Sequence, residues 1–203
     1  FANFGGDEGD RYEEDIYVGY RYFETFAPAR EKVLYPFGFG LSYTSFAMQW
    51  DMAEEEDGCA FRVKVKNTGA YAGKEVVQVY AEAPQGVLGK PLRVLAAFAK
   101  TRCLAPGEEQ ELALKAGKAV LASYDDGGLT GHRSCYVLEA GEYHFYVGGD
   151  VRSAGLAGCM RVEETQILEQ CSQALAPVIQ YQRMKPAPAE NGKLVLSWEK
   201  TPL

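Results

Sequence analysis

The feature that most constrains the fold of this chain is a two-residue alternation of apolar and basic side chains. Residues 61–66 read Phe-Arg-Val-Lys-Val-Lys. Side chains of a β-strand point to opposite faces in turn, so this pattern predicts a strand with one buried face and one solvated face. The next three residues, Asn67-Thr68-Gly69, are typical of a turn that would end such a strand.

Further short strand-like segments follow at close intervals, separated by turn residues such as Pro106-Gly107 and Glu139–Glu142. The predicted strands are Val76–Tyr80, Leu92–Phe98, Gln110–Lys115, Cys135–Leu138, Tyr143–Val147 and Met160–Val162. Many short strands joined by turns predict an all-β fold, an antiparallel β-sandwich of the immunoglobulin or fibronectin type III kind, over residues 46–165. We expect Val76–Tyr80 to be central because it is the more apolar run. The Cys…Trp…Cys spacing of antibody domains is missing.

Residues 1–45 have a different texture, dense in glycine and aromatic residues with little periodicity. Glycine and proline inside an aromatic run permit tight turns and close packing, so we expect a loop-rich segment that lies against a partner surface. The predicted docking residues are Tyr17, Tyr20, Arg21, Tyr22, Phe23, Tyr35, Phe37 and Phe39. The aromatic members of this set are alternatively suited to stacking on the apolar face of a sugar ring.

Residues 166–203 are expected to connect the sandwich to a following domain. Ile167, Leu168, Cys171 and Leu175 recur at helical spacing before Pro177, which predicts a short amphipathic helix. The Pro/Ala stretch Met184–Glu190 suits a semi-rigid linker, Asn191-Gly192 a turn, and Leu194–Trp198 a strand.

Composition excludes several classes of function. The formal net charge of −7 argues against nucleic-acid binding, and no apolar run approaches the roughly 20 residues of a membrane helix. Five cysteines without a C-x-x-C pair favour reduced thiols and a cytoplasmic location over a disulfide framework. Because the chain opens on Phe1 without a signal-peptide pattern, we expect that the native start lies elsewhere.

Candidate chemical sites are weak, and we expect no catalytic, cofactor-binding or metal-binding residue. The cluster Asp7, Glu8, Asp10, Glu13, Glu14 and Asp15 lacks calcium-loop spacing and is interpreted as a solvated acidic loop. The loop 125–128 is predicted to be a flexible turn. His132 and His144 have no clustered partner, and Ser42 lacks the final glycine of an esterase nucleophile elbow.

Long runs of this sequence resemble glycoside hydrolase family 3 enzymes of the β-glucosidase type. The runs that carry the resemblance are YEEDIYVGYRYFET (12–25), LYPFGFGLSYT (34–44), VKNTG (65–69), AGKEVVQVY (72–80), Lys90-Pro91, LAPGE (104–108), ASYD (122–125), EAGEY (139–143) and Val147-Gly148. The resemblance implies that residues 1–45 are the tail of an α/β sandwich domain with an interdomain segment, and that residues 46–165 are the fibronectin type III-like domain.

The resemblance also implies a multidomain retaining enzyme. In that family an Asp nucleophile lies on a barrel domain and a Glu acid/base on the α/β sandwich domain, and neither motif matches this sequence. The segment after residue 165 resembles the connector of members with a swapped domain order, in which the barrel follows. We therefore expect an inactive part of a β-glycosidase, whose partners are the barrel and α/β domains and, through the whole enzyme, a carbohydrate. The alternatives are a stand-alone polysaccharide-binding or adhesion module and a purely structural spacer.

Overall fold

A computed structural model of the chain describes residues 12–174, 178–189 and 192–202. The helices are Tyr20–Thr25 (α1), Ala27–Arg30 (α2) and Lys118–Leu121 (α3). The strands are Phe46–Glu55 (β1), Gly58–Asn67 (β2), Val76–Glu82 (β3), Val94–Lys100 (β4), Glu109–Gly117 (β5), Ser123–Asp125 (β6), Cys135–Leu138 (β7), Gly141–Gly148 (β8), Gly155–Val162 (β9), Gln166–Gln170 (β10), Gln182–Pro188 (β11) and Leu194–Lys200 (β12).

The strands form an antiparallel sandwich with a separate hairpin. One sheet has the strand order β4-β3-β8-β9, a second has the order β1-β2-β5, and a short third sheet has the order β10-β7-β6. Among the strands that the structure describes, β11 and β12 pair only with each other. The all-β sandwich predicted from the alternation is confirmed.

The core lies between the two larger sheets. In β2, Phe61, Val63 and Val65 are buried while the intervening bases are exposed, as the alternation predicts. The rings of Phe61 and Phe145 meet across the core, with centroids 5.5 Å apart. Strand β3 is buried along nearly its whole length between β4 and β8, which confirms its predicted central position.

Strand β1 was not among the predicted strands, although its sequence carries the same signal. Phe46, Met48, Trp50 and Met52 are half-buried against the core and alternate with exposed residues. Its ten residues pair with β2 from end to end.

The helix predicted over residues 167–175 is wrong over the part that the structure describes. Residues 166–170 form strand β10, which pairs antiparallel with β7 and extends the sandwich pairing past residue 165. The free edge of β7 offers backbone hydrogen bonds that outweigh a weak helical pattern in so short a run. Leu175 and Pro177 lie outside the described residues.

The linker predicted over Met184–Glu190 is also wrong, because residues 182–188 form strand β11. It pairs in register with β12, which contains the predicted strand Leu194–Trp198. Pro186 and Pro188 are tolerated because β12 is the one strand that pairs with β11 among the described residues, so β11 lies at an edge of its sheet. Glu190 and Asn191 fall outside the described residues, and Gly192 follows them with a φ of +73°.

The five cysteines are all free thiols. Cys59 and Cys135 are buried, Cys171 is half-buried, and Cys103 and Cys159 are exposed. Burial, reinforced by the nearby carboxylates of Glu54 and Glu55, raises the pKa of Cys59 to about 11. Its thiol therefore stays protonated and unreactive near neutral pH.

Among the helices that the structure describes, none is long and apolar enough to cross a membrane.

The loop predicted to be a flexible turn at residues 125–128 is instead anchored by the buried carboxylate of Asp125. One carboxylate oxygen accepts the backbone N–H groups of Gly128 and Leu129 at 2.6 and 2.9 Å. The other accepts the N–H and the hydroxyl of Thr130 at 2.7 and 2.6 Å. Burial raises the pKa of Asp125, but these hydrogen bonds outweigh it and leave the pKa below its ordinary value.

This network predicts an acid-dependent contribution to stability. The folded pKa of Asp125 is lowered, so its contribution is present above the unfolded pKa of about 3.9 and is lost as the pH falls through the folded pKa. We expect Asp125→Asn to lower the free energy of unfolding by about 1–3 kcal/mol at pH 7, and by less at pH 3, in urea titrations.

The matched control is Asp51→Asn, at an exposed position in β1. If Asp125→Asn lowered the free energy of unfolding by the same amount at pH 7 and pH 3, the stabilising role of the ionised Asp125 carboxylate would be contradicted.

Candidate docking surface

Residues 12–45, which we name the N-terminal segment, lie against the sandwich and carry all eight predicted docking residues. Helix α1 follows Gly19, and α2 begins after Phe26 with Pro28 in its first turn. Proline is tolerated there because the first-turn N–H groups have no partner within the helix. The remainder, from residue 31 to residue 45, is loop.

One attachment of the segment is a stack of aromatic rings on strand β3. Tyr20 stacks on Phe37 with centroids 4.1 Å apart and an interplanar angle of 16°. Phe37 in turn meets Tyr80 edge-on at 6.5 Å. The hydroxyl oxygen of Tyr20 accepts the backbone N–H of Leu95 at 2.9 Å, which fixes the ring to strand β4.

A second aromatic cluster joins the segment to the C-terminal hairpin. Tyr17 is buried and lies 5.3 Å from Phe26, and Tyr22 lies 5.1 Å from Phe26. Met184 and Leu196 of the hairpin pack against this cluster. Burial raises the pKa of the Tyr17 hydroxyl above its ordinary value, as expected of a ring removed from water.

A buried carboxylate at the end of α1 ties the segment to the loop between β8 and β9. Glu24 is 4% exposed, and its two carboxylate oxygens accept hydrogen bonds from the Arg152 Nε at 2.9 and 3.1 Å. The Arg152 Nη2 forms an ion pair with the same carboxylate at 2.8 Å. Arg30 of α2 adds a contact at 3.3 Å. A carboxylate between two guanidinium groups is compensated, so its burial is tolerated.

The loop after α2 approaches strand β3 closely at residue 38, where the backbone conformation favours glycine. The side-chain amide of Gln78 donates to the carbonyl of Gly38 at 3.3 Å and to that of Gly149. Gly38 has a φ of +86°, and a Cβ there would lie 2.1 Å from the Gln78 Oε1. A side chain at residue 38 would therefore strain the backbone and displace the Gln78 amide from its hydrogen bonds.

The outer side of the same loop presents a group of apolar side chains to solvent, which we name the apolar ledge. Its members are Leu34, Tyr35, Phe39, Leu41 and Tyr43, and their exposed fractions are 90, 70, 45, 93 and 96%. Residues 33–50 include no charged residue. An uncharged cluster of large apolar side chains outside the core is typical of a surface that another protein surface covers.

Comparison with known proteins decides the family. Residues 75–151 match the fibronectin type III-like domain family. The chain is 51% identical over 201 residues to a β-glucosidase of Ruminococcus albus. The aligned region covers 99% of this chain and 20% of that protein.

Solved structures agree with this result. A β-glucosidase structure from Paenibacillus barengoltzii superimposes with a TM-score of 0.93 at 50% identity, over 99% of this chain and 23% of that one. A Bifidobacterium adolescentis GH3 β-glucosidase gives a TM-score of 0.69 at 28% identity, over 87% of this chain and 25% of that one. This chain carries the fibronectin type III-like domain of glycoside hydrolase family 3. It spans about a fifth of the length of the relatives that it matches.

Within this family 3 domain, the predicted docking residues differ in what they face. Tyr17, Tyr20 and Tyr22 face the chain itself, in the two aromatic clusters, so part of the expected partner surface lies within this chain. Phe23, Tyr35 and Phe39 are exposed. Phe37 is stacked on Tyr20 but still 41% exposed, and Arg21 of α1 lines a cavity.

Sequence reasoning missed the three members of the apolar ledge with the largest exposed fractions, Leu34, Leu41 and Tyr43, and it also missed Glu24. The absence of charge from residue 33 to residue 50 is the one signal that points to the apolar ledge. Nothing in the sequence near Glu24 shows that Arg152 lies beside it, because the two are 128 positions apart.

The other candidate sites stay dispersed. Asp7, Glu8 and Asp10 lie outside the described residues, whereas Asp15 pairs with Arg183 at 3.6 Å. His144 of β8 faces Glu142 at 3.6 Å, and the exposed Ser42 hydroxyl accepts the N–H of Thr44. Among the residues that the structure describes, no group of three or more His, Cys, Asp or Glu is placed to hold a metal ion.

Glu24 gives a test of how firmly the N-terminal segment is attached. Glu24→Ala leaves Arg152 without its carboxylate partner, and we expect the free energy of unfolding to fall by about 1–3 kcal/mol, since both guanidinium groups are partly exposed. Urea titration followed by circular dichroism measures this change.

The control is Glu55→Ala, which removes an exposed pair with Lys115 at 3.2 Å. We expect this control substitution to lower the free energy of unfolding by about 0.5 kcal/mol or less. Equal losses for the two variants would show that the Glu24 cluster does not hold the segment.

Proposed function

We propose that this chain is the non-catalytic, fibronectin type III-like part of a family 3 β-glucosidase and that it holds the catalytic domains in position. The observation that carries the proposal is the apolar ledge. Five large apolar side chains project from a loop whose inner side is fixed to the sandwich. The rest of such an enzyme supplies a surface to cover them, since the matched relatives are about five times longer than this chain.

The energetic argument rests on Leu34, Leu41 and Tyr43, which are almost fully exposed. Transfer of one large apolar side chain from water into a packed interface is worth about 1.5–3 kcal/mol. Three such side chains give a docking free energy large enough to keep two domains of one polypeptide together, where the effective concentration is already high.

The whole protein is proposed to hydrolyse β-glucosides by the retaining mechanism of the family. Its nucleophilic Asp and its acid/base Glu would then lie in the barrel and α/β domains rather than in this chain. Two carboxylates on separate domains must be held within a fraction of an ångström of their working positions, because small misplacements are costly in rate. A rigid third domain that contacts both is a means of achieving this.

The proposed organisation has three parts, namely the N-terminal segment to residue 45, the sandwich, and a connector toward a following barrel. The sandwich is expected to end at about residue 170 rather than 165, because β10 pairs with β7. Matches over 99% of the chain in two relatives support a connector shared with those proteins. The DNA sequence on either side of this segment tests the order.

A cytoplasmic location is proposed from the free thiols. Two of the five cysteines are buried and unpaired, a usage that suits a reducing compartment. Fractionation of the producing cells tests it.

The docking role is tested in the longer polypeptide that carries this chain. We expect the double substitution Leu41→Ser and Tyr43→Ser to lower kcat/KM on a nitrophenyl β-glucoside by about 10-fold or more, since the catalytic domains lose their register. The fold of the 203-residue chain itself should not change, because both side chains point into solvent.

Tyr71→Ser, at a position 65% exposed outside the apolar ledge, is the matched control and should leave kcat/KM unchanged. The isolated chain should show no turnover above buffer. Turnover by the isolated chain, or an unaffected double variant, would contradict the proposal.

A further inference from the structure

A cavity of about 400 Å³ lies where the three parts of the chain meet. The sandwich provides its floor, the N-terminal segment contributes Asp15, Tyr17 and Arg21, and the C-terminal hairpin contributes Arg183 and Glu199. Ligand cavities in proteins typically have about 300–1,000 Å³, so the space suits one or two sugar-sized rings.

The walls of this cavity are fixed by the guanidinium of Arg183. Its two terminal nitrogens donate to the two carboxylate oxygens of Asp126 at 2.6 and 3.1 Å, and its Nε donates to Glu199 at 2.9 Å. Asp15 lies 3.6 Å away and extends the network to the N-terminal segment. Burial raises the pKa of Asp15, as do the neighbouring Asp126 and Glu199, while Arg183 opposes this shift.

The floor carries two half-exposed aromatic rings. Tyr124 of β6 and Tyr136 of β7 are direct cross-strand partners, with ring centroids 5.1 Å apart. They are 40 and 41% exposed, and the aliphatic side chains of Val94 and Leu121 line the same cavity. The result is an apolar surface broad enough to receive the face of a ring.

Arg21 supplies hydrogen-bond donors that the described part of the chain does not use. Its side chain is half-buried and lines the cavity, and it has no ion pair or hydrogen bond with a described residue. Lys90 also lines the cavity, but its ammonium is bonded to the buried carboxylate of Glu139. Among the described cations that line the cavity, Arg21 is therefore the one whose donors have no acceptor on a described residue.

The chemistry of the lining selects among ligand classes. A purely apolar ligand would leave the Arg21 donors unpaired, and an anion would face the carboxylates of Asp15, Asp126 and Glu199. A neutral sugar satisfies both kinds of group, because its hydroxyls donate and accept while its C–H face packs on the tyrosines. We propose that this cavity binds a neutral mono- or disaccharide, with its apolar face on Tyr124 and Tyr136 and its hydroxyls on Arg21 and Asp15.

This site is separate from the apolar ledge and does not rest on the proposed docking role. Titration of the 203-residue chain with D-glucose and with cellobiose, followed by ¹H–¹⁵N spectra, tests it directly. We expect saturable shifts confined to residues around the cavity, with a Kd on the order of 1–10 mM for a ligand of this size.

Two variants and one control locate the binding. We expect Tyr136→Ala and Arg21→Gln each to weaken binding by about 5–10-fold, through lost ring contact and lost hydrogen bonds respectively. Tyr71→Ala, an exposed tyrosine outside the cavity, should leave the Kd unchanged. The dispersion of each spectrum reports whether the variant is folded.

Three results would overturn the proposal. The first is that the spectral shifts do not saturate at about 100 mM of D-glucose or of cellobiose. The second is that neither Tyr136→Ala nor Arg21→Gln weakens the binding. The third is binding to this chain that disappears in the longer polypeptide, which would mean that a neighbouring domain occupies the cavity.

Discussion

The burial of Glu24 is the interaction on which the organisation of this chain depends. A carboxylate that is 4% exposed is tolerated only because Arg152 and Arg30 compensate its charge. Arg152 belongs to the loop between β8 and β9, whereas Glu24 and Arg30 belong to the N-terminal segment. The requirement to keep this charge paired therefore fixes a segment with little regular structure to the sandwich. The ring stack of Tyr20, Phe37 and Tyr80 can then close beside it.

Arg183 has the corresponding role at the other end of the chain. Its ion pairs reach the loop after β6, strand β12 and the N-terminal segment, so three stretches distant in sequence meet at one side chain. The backbone N–H of Met184 also donates to the carbonyl of Glu13 at 2.7 Å. Residues near both ends of the described chain thus lie together, and the cavity between them is a consequence of that meeting.

The fold could be predicted from the sequence where the determining signal is local. The alternation of residues 61–66 predicts β2, because a strand buried on one face has an apolar side chain at every second position. The apolar run at 76–80 predicts a central strand, because a strand buried on both faces is apolar throughout. Strands β10 and β11 form because β7 and β12 offer them backbone partners, which local spacing does not record. The same limit applies to the docking surface. The aromatic content of residues 17–39 was evident, but the division between inward and outward rings depends on the position of β3 and of the hairpin.

The division between inner and outer faces explains why an apolar loop suits a docking role. Ordering a flexible loop at the moment of association costs conformational entropy, about 1–2 kcal/mol for each residue fixed. In this chain the inner side of the loop is already held by the Gln78 amide, by the Phe37 ring and by a hydrogen bond from Val151 to the Phe37 carbonyl at 3.0 Å. The outward side chains are therefore presented on an ordered backbone, and most of the free energy of covering them remains available for the proposed docking.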